Sequence, residues 1–431
     1  MNTVTTRESK MLGDRYVCVK HPSGLTILIY PKEKMRSTYA VFGTRYGSID
    51  KAFKRSDEPE AEVTPAGIAH FLEHKLFESE DGDAFTRYAE IGASANAYTS
   101  FETTRYLFSC TENAEKALEI LLDFVQSPYF TAQTVEKEQG IIGQEIKMYD
   151  DDPQWRVLFN LLRALYHNHP IKDDIAGTVE SIAAITPKHL YRCYNTFYNL
   201  NNMALCVSGN CDVDSVLALC DKMLKKSAPV QVERVLDAEP DSIVRPAVEE
   251  RLAVASPIFE FGIKEADGGR HRSEKDLAVT EVLLDIMASD SSPLFRRLLD
   301  ASLINEASFR YEYFEGTGYG AVLFGGESSD PHAVCAAIRE EMRRLKAEGV
   351  SEEDVRRSAK SLYGANLAGL NSPEVIANAA MTMEFNGREL FRYIECFSEI
   401  TAADVNARIQ ALFNEDKTAV SVIWPLEEEN A

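Results

Sequence analysis

The chain has 431 residues, of which 45% are hydrophobic and 26% are charged, so it has the composition of a globular protein with material for two or three domain cores. Acidic residues outnumber basic residues by 68 to 46, and the formal net charge of −22 argues against a nucleic-acid partner or an anionic membrane surface. Apolar runs are far too short for a membrane helix and the N-terminal residues lack the apolar core of a signal peptide, so we expect a cytoplasmic protein.

The first half of the chain combines predicted strands and helices. Helices are predicted from Thr64, from 111 to 128, from Thr131 past Tyr149, and from Thr186. Strands are predicted at 25–30, 39–46, 95–109 and 203–207. The last helix leads directly into the last strand.

The same order of elements returns in the second half. Helices are predicted after Asp330, from Ser351 and from Thr401, and strands at 258–263, 308–314, 320–325 and 418–424. The helix starts at Thr131 and Ser351 are separated by about half of the chain, and so are those at Thr186 and Thr401. Because solenoid repeats are only about 20–50 residues long, this period indicates two similar domains.

We therefore predict an α+β fold of two similar domains, each a mainly antiparallel β-sheet covered by helices. Residues 1–228 are expected to form the first domain and residues 251–431 the second. The linker is placed at 229–250, where Pro229, a charge-rich stretch and Pro240 interrupt the periodicity.

The strongest chemical signal is the segment His70-Phe71-Leu72-Glu73-His74, within the helix that opens at Thr64. His70 and His74 are four residues apart and share one helix face, with Glu73 beside them. Two neutral imidazoles at this spacing can occupy two positions around one divalent ion, and His-x-x-Glu-His is one of the zinc-peptidase signatures. The alternative is a solvated helix whose side chains have no catalytic or binding function, but the pattern arises by chance in only about one such sequence in a hundred.

A catalytic zinc ion usually has three protein ligands and one position for water, so a further His or carboxylate is needed. The helix after Thr131 offers Glu136, Glu138 and Glu145, of which the last two are seven residues apart and lie on one face. The residues alone leave the choice among these glutamates open, and a solvated acidic helix is the alternative.

Three segments together resemble the pitrilysin (insulinase) family of zinc metallopeptidases: 70–74, 92–99 and 136–145. The resemblance extends over nearly the whole chain, including the duplication, and implies one half of a clamshell. The stretches 67–83 and 135–149 are most similar to the half-length bacterial branch associated with elongation factor P modification or peptide maturation.

The resemblance implies one Zn²⁺ ion per chain, with His70, His74 and Glu145 as metal ligands and Glu138 as the acid behind them. Such an ion lowers the pKa of its bound water and polarises the scissile carbonyl group. Glu73 would then take the proton of the water and return it to the leaving amine.

The segment 93–100 consists mostly of small and polar residues. From this pattern alone, an edge strand without any function is an equally good interpretation. In the family that this chain resembles, the matching strand binds the peptide substrate by β-augmentation, which implies that Asn96 and Ala97 lie at the scissile bond. An acidic protein would favour basic or unstructured peptides.

The second half of the chain has no His-x-x-Glu-His segment. The offset from Thr131 to Ser351, applied to Glu138 and Glu145, leads to positions near Ser358 and Ala365. These residues cannot bind zinc in the same way. The second domain is therefore expected to be non-catalytic.

The non-catalytic half of the family enzymes supplies an Arg and a Tyr, seven residues apart, to bind the substrate and the oxyanion. The region of this chain that we match to it, 294–306, has no such pair, because Leu303 and Ile304 stand seven residues after Arg296 and Arg297. We therefore expect a related, zinc-free partner chain that supplies the pair, or a homodimer of low activity.

Two other functions compete with a zinc endopeptidase. One is a non-catalytic peptide-binding or scaffold subunit that retains zinc. The other is a structural metal protein with no substrate, which predicts a closed site of four ligands.

Overall fold

The computed structural model of the chain describes residues 3–80, 82–226, 228–266 and 268–427. Its strands are β1 Thr3–Ser9, β2 Asp14–Lys20, β3 Thr26–Pro31, β4 Thr38–Thr44, β5 Ala52–Arg55, β6 Glu62–Val63, β7 Glu78–Ser79, β8 Gly82–Asp83, β9 Ser94–Thr99, β10 Thr104–Cys110, β11 Met203–Gly209, β12 Val232–Arg234, β13 Ala247–Leu252, β14 Ile258–Lys264, β15 Arg310–Gly316, β16 Tyr319–Glu327 and β17 Thr418–Pro425. Its α-helices are α1 Ile68–Leu76, α2 Ala84–Glu90, α3 Ala114–Val125, α4 Ala132–Asp150, α5 Pro153–Leu165, α6 Val179–Ala183, α7 Pro187–Phe197, α8 Val213–Met223, α9 Glu274–Ala288, α10 Pro293–Asp300, α11 Pro331–Glu348, α12 Glu352–Gly369, α13 Pro373–Phe385, α14 Leu390–Cys396 and α15 Ala402–Leu412. None of the helices in the described ranges combines the length and the apolarity that a membrane span requires.

The chain divides into two compact units, each built from separate parts of the sequence. The first unit comprises Met1–Ile146, Asp174–Val235 and Asn366–Arg392. The second unit comprises Lys147–Asp173, Leu236–Ala365 and Tyr393–Ala431. Each unit includes a helical segment from the other half of the chain, so the units do not coincide with the contiguous ranges 1–228 and 251–431.

Among the described residues, the first unit contains a sheet of seven strands in the order β1-β2-β3-β11-β4-β10-β9. Strands β3 and β11 run parallel, whereas the other neighbours run antiparallel. Every residue of β4 is buried, and both α3 and α13 pack against this strand. The edge strand β9 alternates between exposed and half-buried residues.

The described strands of the second unit form a five-stranded sheet in the order β13-β17-β14-β16-β15. Here β13 and β17 run parallel and the other neighbours antiparallel. This pattern repeats the pairing of β3-β11-β4-β10-β9 in the first unit. The predicted α+β fold, with two similar and mainly antiparallel sheets covered by helices, is confirmed.

Two corresponding helices are exchanged between the halves of the sequence. Helices α5 and α13 begin at Pro153 and Pro373, which correspond by the offset between the two halves, and each follows a capping side chain, Asp152 or Ser372. In the first unit α13 packs on β3, β4 and β11, and in the second unit α5 packs on β13, β14 and β17. Each half of the chain thus supplies a covering helix for the sheet of the other half.

The segment expected as a linker, 229–250, contains regular structure. It includes β12, which pairs with β5, and the start of β13, which pairs with β17. Between them the Glu239 carboxylate accepts hydrogen bonds from the backbone N–H groups of residues 167–169 and from Lys264 Nζ at 2.6 Å. Although burial acts to raise it, the pKa of Glu239 falls to about 2 because of these donors.

Helix α1 begins at Ile68, so the predicted start at Thr64 and Pro65 is wrong. The Thr64 hydroxyl does not cap the helix but donates a hydrogen bond to the Lys51 carbonyl oxygen at 3.1 Å. Gly67 precedes the helix with φ 84°, a left-handed conformation that favours glycine. A Cβ atom at Gly67 would lie 2.2 Å from the Ala176 carbonyl oxygen, so a tight glycine turn sets the start of the helix.

Candidate metal centre

Helix α1 brings the three motif side chains together. His70 and Glu73 are each only 8% exposed, and His74 is half-buried. In the part of the chain that the structure describes, these three form the one group of at least three His, Cys, Asp or Glu residues whose potential ligand atoms lie within 4.8 Å of one another. The helical spacing that the sequence predicts is what places them on one face.

Glu145 on α4 converges on the same point. Its Oε1 atom lies 3.6 Å from His70 Nε2, and its Oε2 atom lies 3.5 Å from His74 Nε2. Two neighbouring ligands of a tetrahedral zinc ion, each bound at about 2.1 Å, are about 3.4 Å apart. The observed separations match this value and are longer than normal hydrogen bonds, so the carboxylate and the two imidazoles fit one divalent cation.

The charge state of the histidines suits metal binding. Burial, together with the neighbouring His74, lowers the pKa of His70 to about 4, so the His70 imidazole is neutral at pH 7. Burial also acts to lower the pKa of His74, but the hydrogen bond with Glu138 and the charges of Glu73 and Glu145 raise it overall. The same negative charges favour a cation at His74 Nε2.

Glu138 on α4 lies behind His74. Its Oε1 atom is 3.1 Å from His74 Nδ1, and its Oε2 atom is 3.5 Å from Lys75 Nζ. Although burial acts to raise it, the pKa of Glu138 is lowered by these two partners, so the carboxylate is ionised. A carboxylate that accepts the Nδ1 proton fixes the tautomer in which Nε2 is the ligand atom.

Glu73 stands beside the three candidate ligands. Its Oε2 atom accepts a hydrogen bond from the Thr99 hydroxyl at 3.1 Å. Burial raises the pKa of Glu73 to about 7, against the opposing effects of His74 and Thr99. A carboxyl group that titrates near neutrality can both accept and return a proton at pH 7.

Asn96 and Ala97 lie on the edge strand β9, which packs beside α1. Because side chains alternate along a strand, the half-buried Ala97 shares the face of Thr99, and the exposed Asn96 lies on the other face. Asn96 Oδ1 accepts a hydrogen bond from the Ala97 backbone N–H at 2.9 Å. Both residues thus lie on the strand that contacts the motif helix, and their role in substrate binding stays a prediction.

Two residues of the site were not anticipated from the sequence. Thr99 ends the segment 92–99 that carries the family resemblance, and its hydroxyl is the one signal that could have identified it. Lys75 directly follows the His-x-x-Glu-His segment, but lysine is almost always exposed, so a buried partner for Glu138 is not readable from the sequence.

The fold and the site together define an α+β protein of two similar units with a candidate metal centre of two imidazoles and one carboxylate in the first unit. The family model "Insulinase (Peptidase family M16)" matches residues 59–179, which include every candidate ligand. The model "Peptidase M16 inactive domain" matches residues 184–362. The chain belongs to the insulinase family of peptidases, family M16.

Similar proteins agree with this assignment. A Bacillus subtilis protein named uncharacterized zinc protease YmfH is 39% identical over 424 residues, which are 97% of this chain and 98% of that protein. A structure from Alicyclobacillus acidocaldarius, described as M16-like, is 34% identical with a TM-score of 0.90 and covers 99% of each chain. Pitrilysin has the same fold with a TM-score of 0.74 at 15% identity, and this chain matches 46% of its length.

Proposed function

We propose that the chain is a zinc-dependent endopeptidase that hydrolyses peptides or unfolded segments, and that it acts as the catalytic half of a two-chain enzyme. The observation that carries this proposal is the approach of the Glu145 carboxylate to the Nε2 atoms of both histidines, at 3.6 and 3.5 Å. The names of the relatives, which include zinc proteases, support the same chemistry.

His70, His74 and Glu145 would hold one zinc ion through two nitrogen atoms and one carboxylate. When bound, the ion supplies Lewis acidity and an activated water molecule. Glu138 orients the His74 ring by accepting its Nδ1 proton, which leaves Nε2 directed towards Glu145.

Glu73 is the proposed general base. The Thr99 hydroxyl holds Oε2, so we assign the proton transfer to Oε1. Oε1 would accept a proton from the attacking water and deliver it to the leaving amine. The low exposure of this carboxyl group keeps bulk water from competing for the proton.

Strand β9 is the proposed binding surface for the substrate. It is an edge strand of the sheet, and its partner β10 pairs with Ser94 to Thr99 on one side. A peptide that adds to the other side would pair with main-chain groups near Asn96 and Ala97. Binding through the main chain tolerates many substrate sequences.

The two-chain arrangement rests on what the second half of the sequence lacks. Ser358 and Ala365 stand where the repeat places the counterparts of Glu138 and Glu145, and the region 294–306 has no Arg–Tyr pair seven residues apart, although Arg356 and Tyr363 on α12 have that spacing. We therefore propose a related, zinc-free partner chain, with a homodimer as the alternative assembly. A cytoplasmic location fits the eight cysteines, all of which are free thiols.

The test combines zinc content with cleavage of unstructured peptides. We expect cleavage by the purified chain to stop after chelation, to return with zinc, and to be lost in Glu73→Gln while zinc content stays the same. Glu136→Gln is the matched control, because Glu136 lies on the exposed side of the helix that carries Glu145. Undiminished cleavage by Glu73→Gln would contradict the assignment of the base.

Identification of the partner needs a second experiment. Mass spectrometry of the chains that co-purify with the native protein is expected to detect an M16 chain without the His-x-x-Glu-His segment, and adding it should raise the cleavage rate. A purified chain that matches the rate of the reconstituted pair would refute the two-chain arrangement. Zinc binding without cleavage, alone and with the partner, would instead support a peptide-binding or scaffold subunit that retains zinc.

A further inference from the structure

Lys75 is a lysine with no exposed surface. It lies on α1 directly after His74, and its side chain is 0% exposed. Lysine is almost never fully buried unless its ammonium group is paired. A lysine of this kind beside a candidate metal centre therefore calls for a specific partner.

The partners of Lys75 are two carboxylates. Its Nζ atom pairs with Glu78 Oε2 and lies 3.5 Å from Glu138 Oε2. The other oxygen of Glu138, Oε1, lies 3.1 Å from His74 Nδ1. One buried carboxylate thus bridges the lysine ammonium group and the imidazole ring.

We propose that Lys75 is a positioning residue for the metal centre, acting through Glu138 on His74. With Oε2 held by Lys75, Oε1 of Glu138 stays on His74 Nδ1, and the ring keeps Nε2 directed towards Glu145. The inference rests on the proposed zinc site and extends it to a residue that touches neither the metal nor the substrate.

A purely electrostatic role for Lys75 predicts the opposite sign. A positive charge near a cation site repels the cation, so removing the charge alone would tighten zinc binding. Removing a positioning residue instead loosens the partner of a ligand, and the loss of such partners weakens metal binding by about 10- to 100-fold. The sign of the change in zinc affinity therefore separates the two roles.

The experiment measures the zinc dissociation constant by competition with a chromophoric chelator, which requires no peptidase activity. We expect Lys75→Met to weaken zinc binding about tenfold. In the Glu138→Gln background the same substitution should change the dissociation constant by less than about twofold, because the pathway through the carboxylate is already broken. Lys137→Met is the matched control, since it removes an exposed positive charge next to Glu138 and should not weaken binding.

Unchanged or tighter zinc binding in Lys75→Met would overturn the inference, and so would equal losses in the wild-type and Glu138→Gln backgrounds. If Lys75→Met does not fold, Lys75→Leu takes its place, because it also removes both the charge and the N–H donors that hold Glu138. Weaker binding than wild type then supports the positioning role, and equal or tighter binding refutes it.

The outcome also separates this inference from the proposed function. If the wild-type chain binds zinc but cleaves no peptide, the peptidase proposal is refuted. The role of Lys75 is then still decided by the zinc dissociation constants of the variants. A wild-type chain that binds no zinc refutes both.

Discussion

The hydrogen bond between Thr99 and Glu73 connects the proposed substrate strand to the proposed general base. Thr99→Val replaces the hydroxyl with a methyl group of similar size and leaves the main-chain pairing of β9 in place. If the hydroxyl holds the Glu73 carboxylate for proton transfer, the substitution should slow the chemical step and leave substrate binding unchanged.

The geometry sets the size of the effect. A hydrogen bond to a charged group contributes about 1.5–3 kcal/mol. The Thr99 Oγ1 to Glu73 Oε2 distance of 3.1 Å is longer than is usual for such a bond, which indicates the lower end of that range. Because about 1.4 kcal/mol corresponds to a factor of ten in rate, we expect kcat to fall about tenfold with KM unchanged.

Steady-state kinetics on an unstructured peptide, with zinc content measured in parallel, test this expectation. Thr99→Ser retains the hydroxyl and should restore most of kcat. Thr5→Val, on the exposed edge strand β1 of the same sheet, is the control for a threonine-to-valine change in a strand.

An unchanged kcat in Thr99→Val would refute the role of this hydrogen bond. A fall in zinc content that accounts for the lost activity would show that Thr99 supports the metal centre rather than the base. A Thr99→Ser variant as slow as Thr99→Val would mean that the methyl group, not the hydroxyl, is what matters.

Two further predictions concern the metal and the effect of pH. Glu145→Gln should weaken zinc binding more than 100-fold in the chelator competition. This loss is larger than the one expected when a residue that only hydrogen-bonds a ligand is removed. An unchanged dissociation constant would show that Glu145 is not a ligand. The pKa of Glu239 is about 2, below its ordinary 4.5, so its ionised form stabilises the folded chain fully above pH 4.5 and progressively less as the pH falls towards 2. Glu239→Gln should therefore lower the free energy of unfolding in urea by about 2 kcal/mol at pH 7 and by clearly less at pH 3. An equal loss at both pH values would contradict this account of the contact with Lys264.

The candidate site could be predicted from the sequence only in part. The four-residue spacing of His70 and His74 is enough to place them on one helix face, because the geometry of a helix is local. The choice of Glu145 over Glu136 depends on how two distant helices are placed, so it came from the family resemblance. The burial of Lys75 depends on the same placement and contradicts the usual exposure of lysine.

The fold shows a similar division. Apart from the start at Thr64, the helix starts and their offset of about half the chain were readable, and they predict two similar sheets with covering helices. The exchange of α5 and α13 could not be predicted from the sequence. An amphipathic pattern shows that a helix has a buried face but not which sheet that face covers. Two sheets with the same strand pairing accept corresponding helices, so local sequence does not distinguish the two arrangements.

The duplication also bears on whether the metal is structural. Among the described residues, the second unit builds the same strand pairing without a group of close metal-binding side chains. At the position that the repeat offset assigns to Glu138 the second unit has Ser358, whose hydroxyl donates a hydrogen bond to the Asp285 carboxylate.

Since the described residues of one unit build this architecture without such a group of side chains, folding alone does not explain the convergence of two histidines and Glu145 in the other. Chelation should therefore lower the thermal midpoint, by removing the stabilisation that a bound ligand gives, and leave the far-UV circular dichroism of the chain unchanged. Loss of secondary structure on chelation would instead support a structural metal and count against the peptidase proposal.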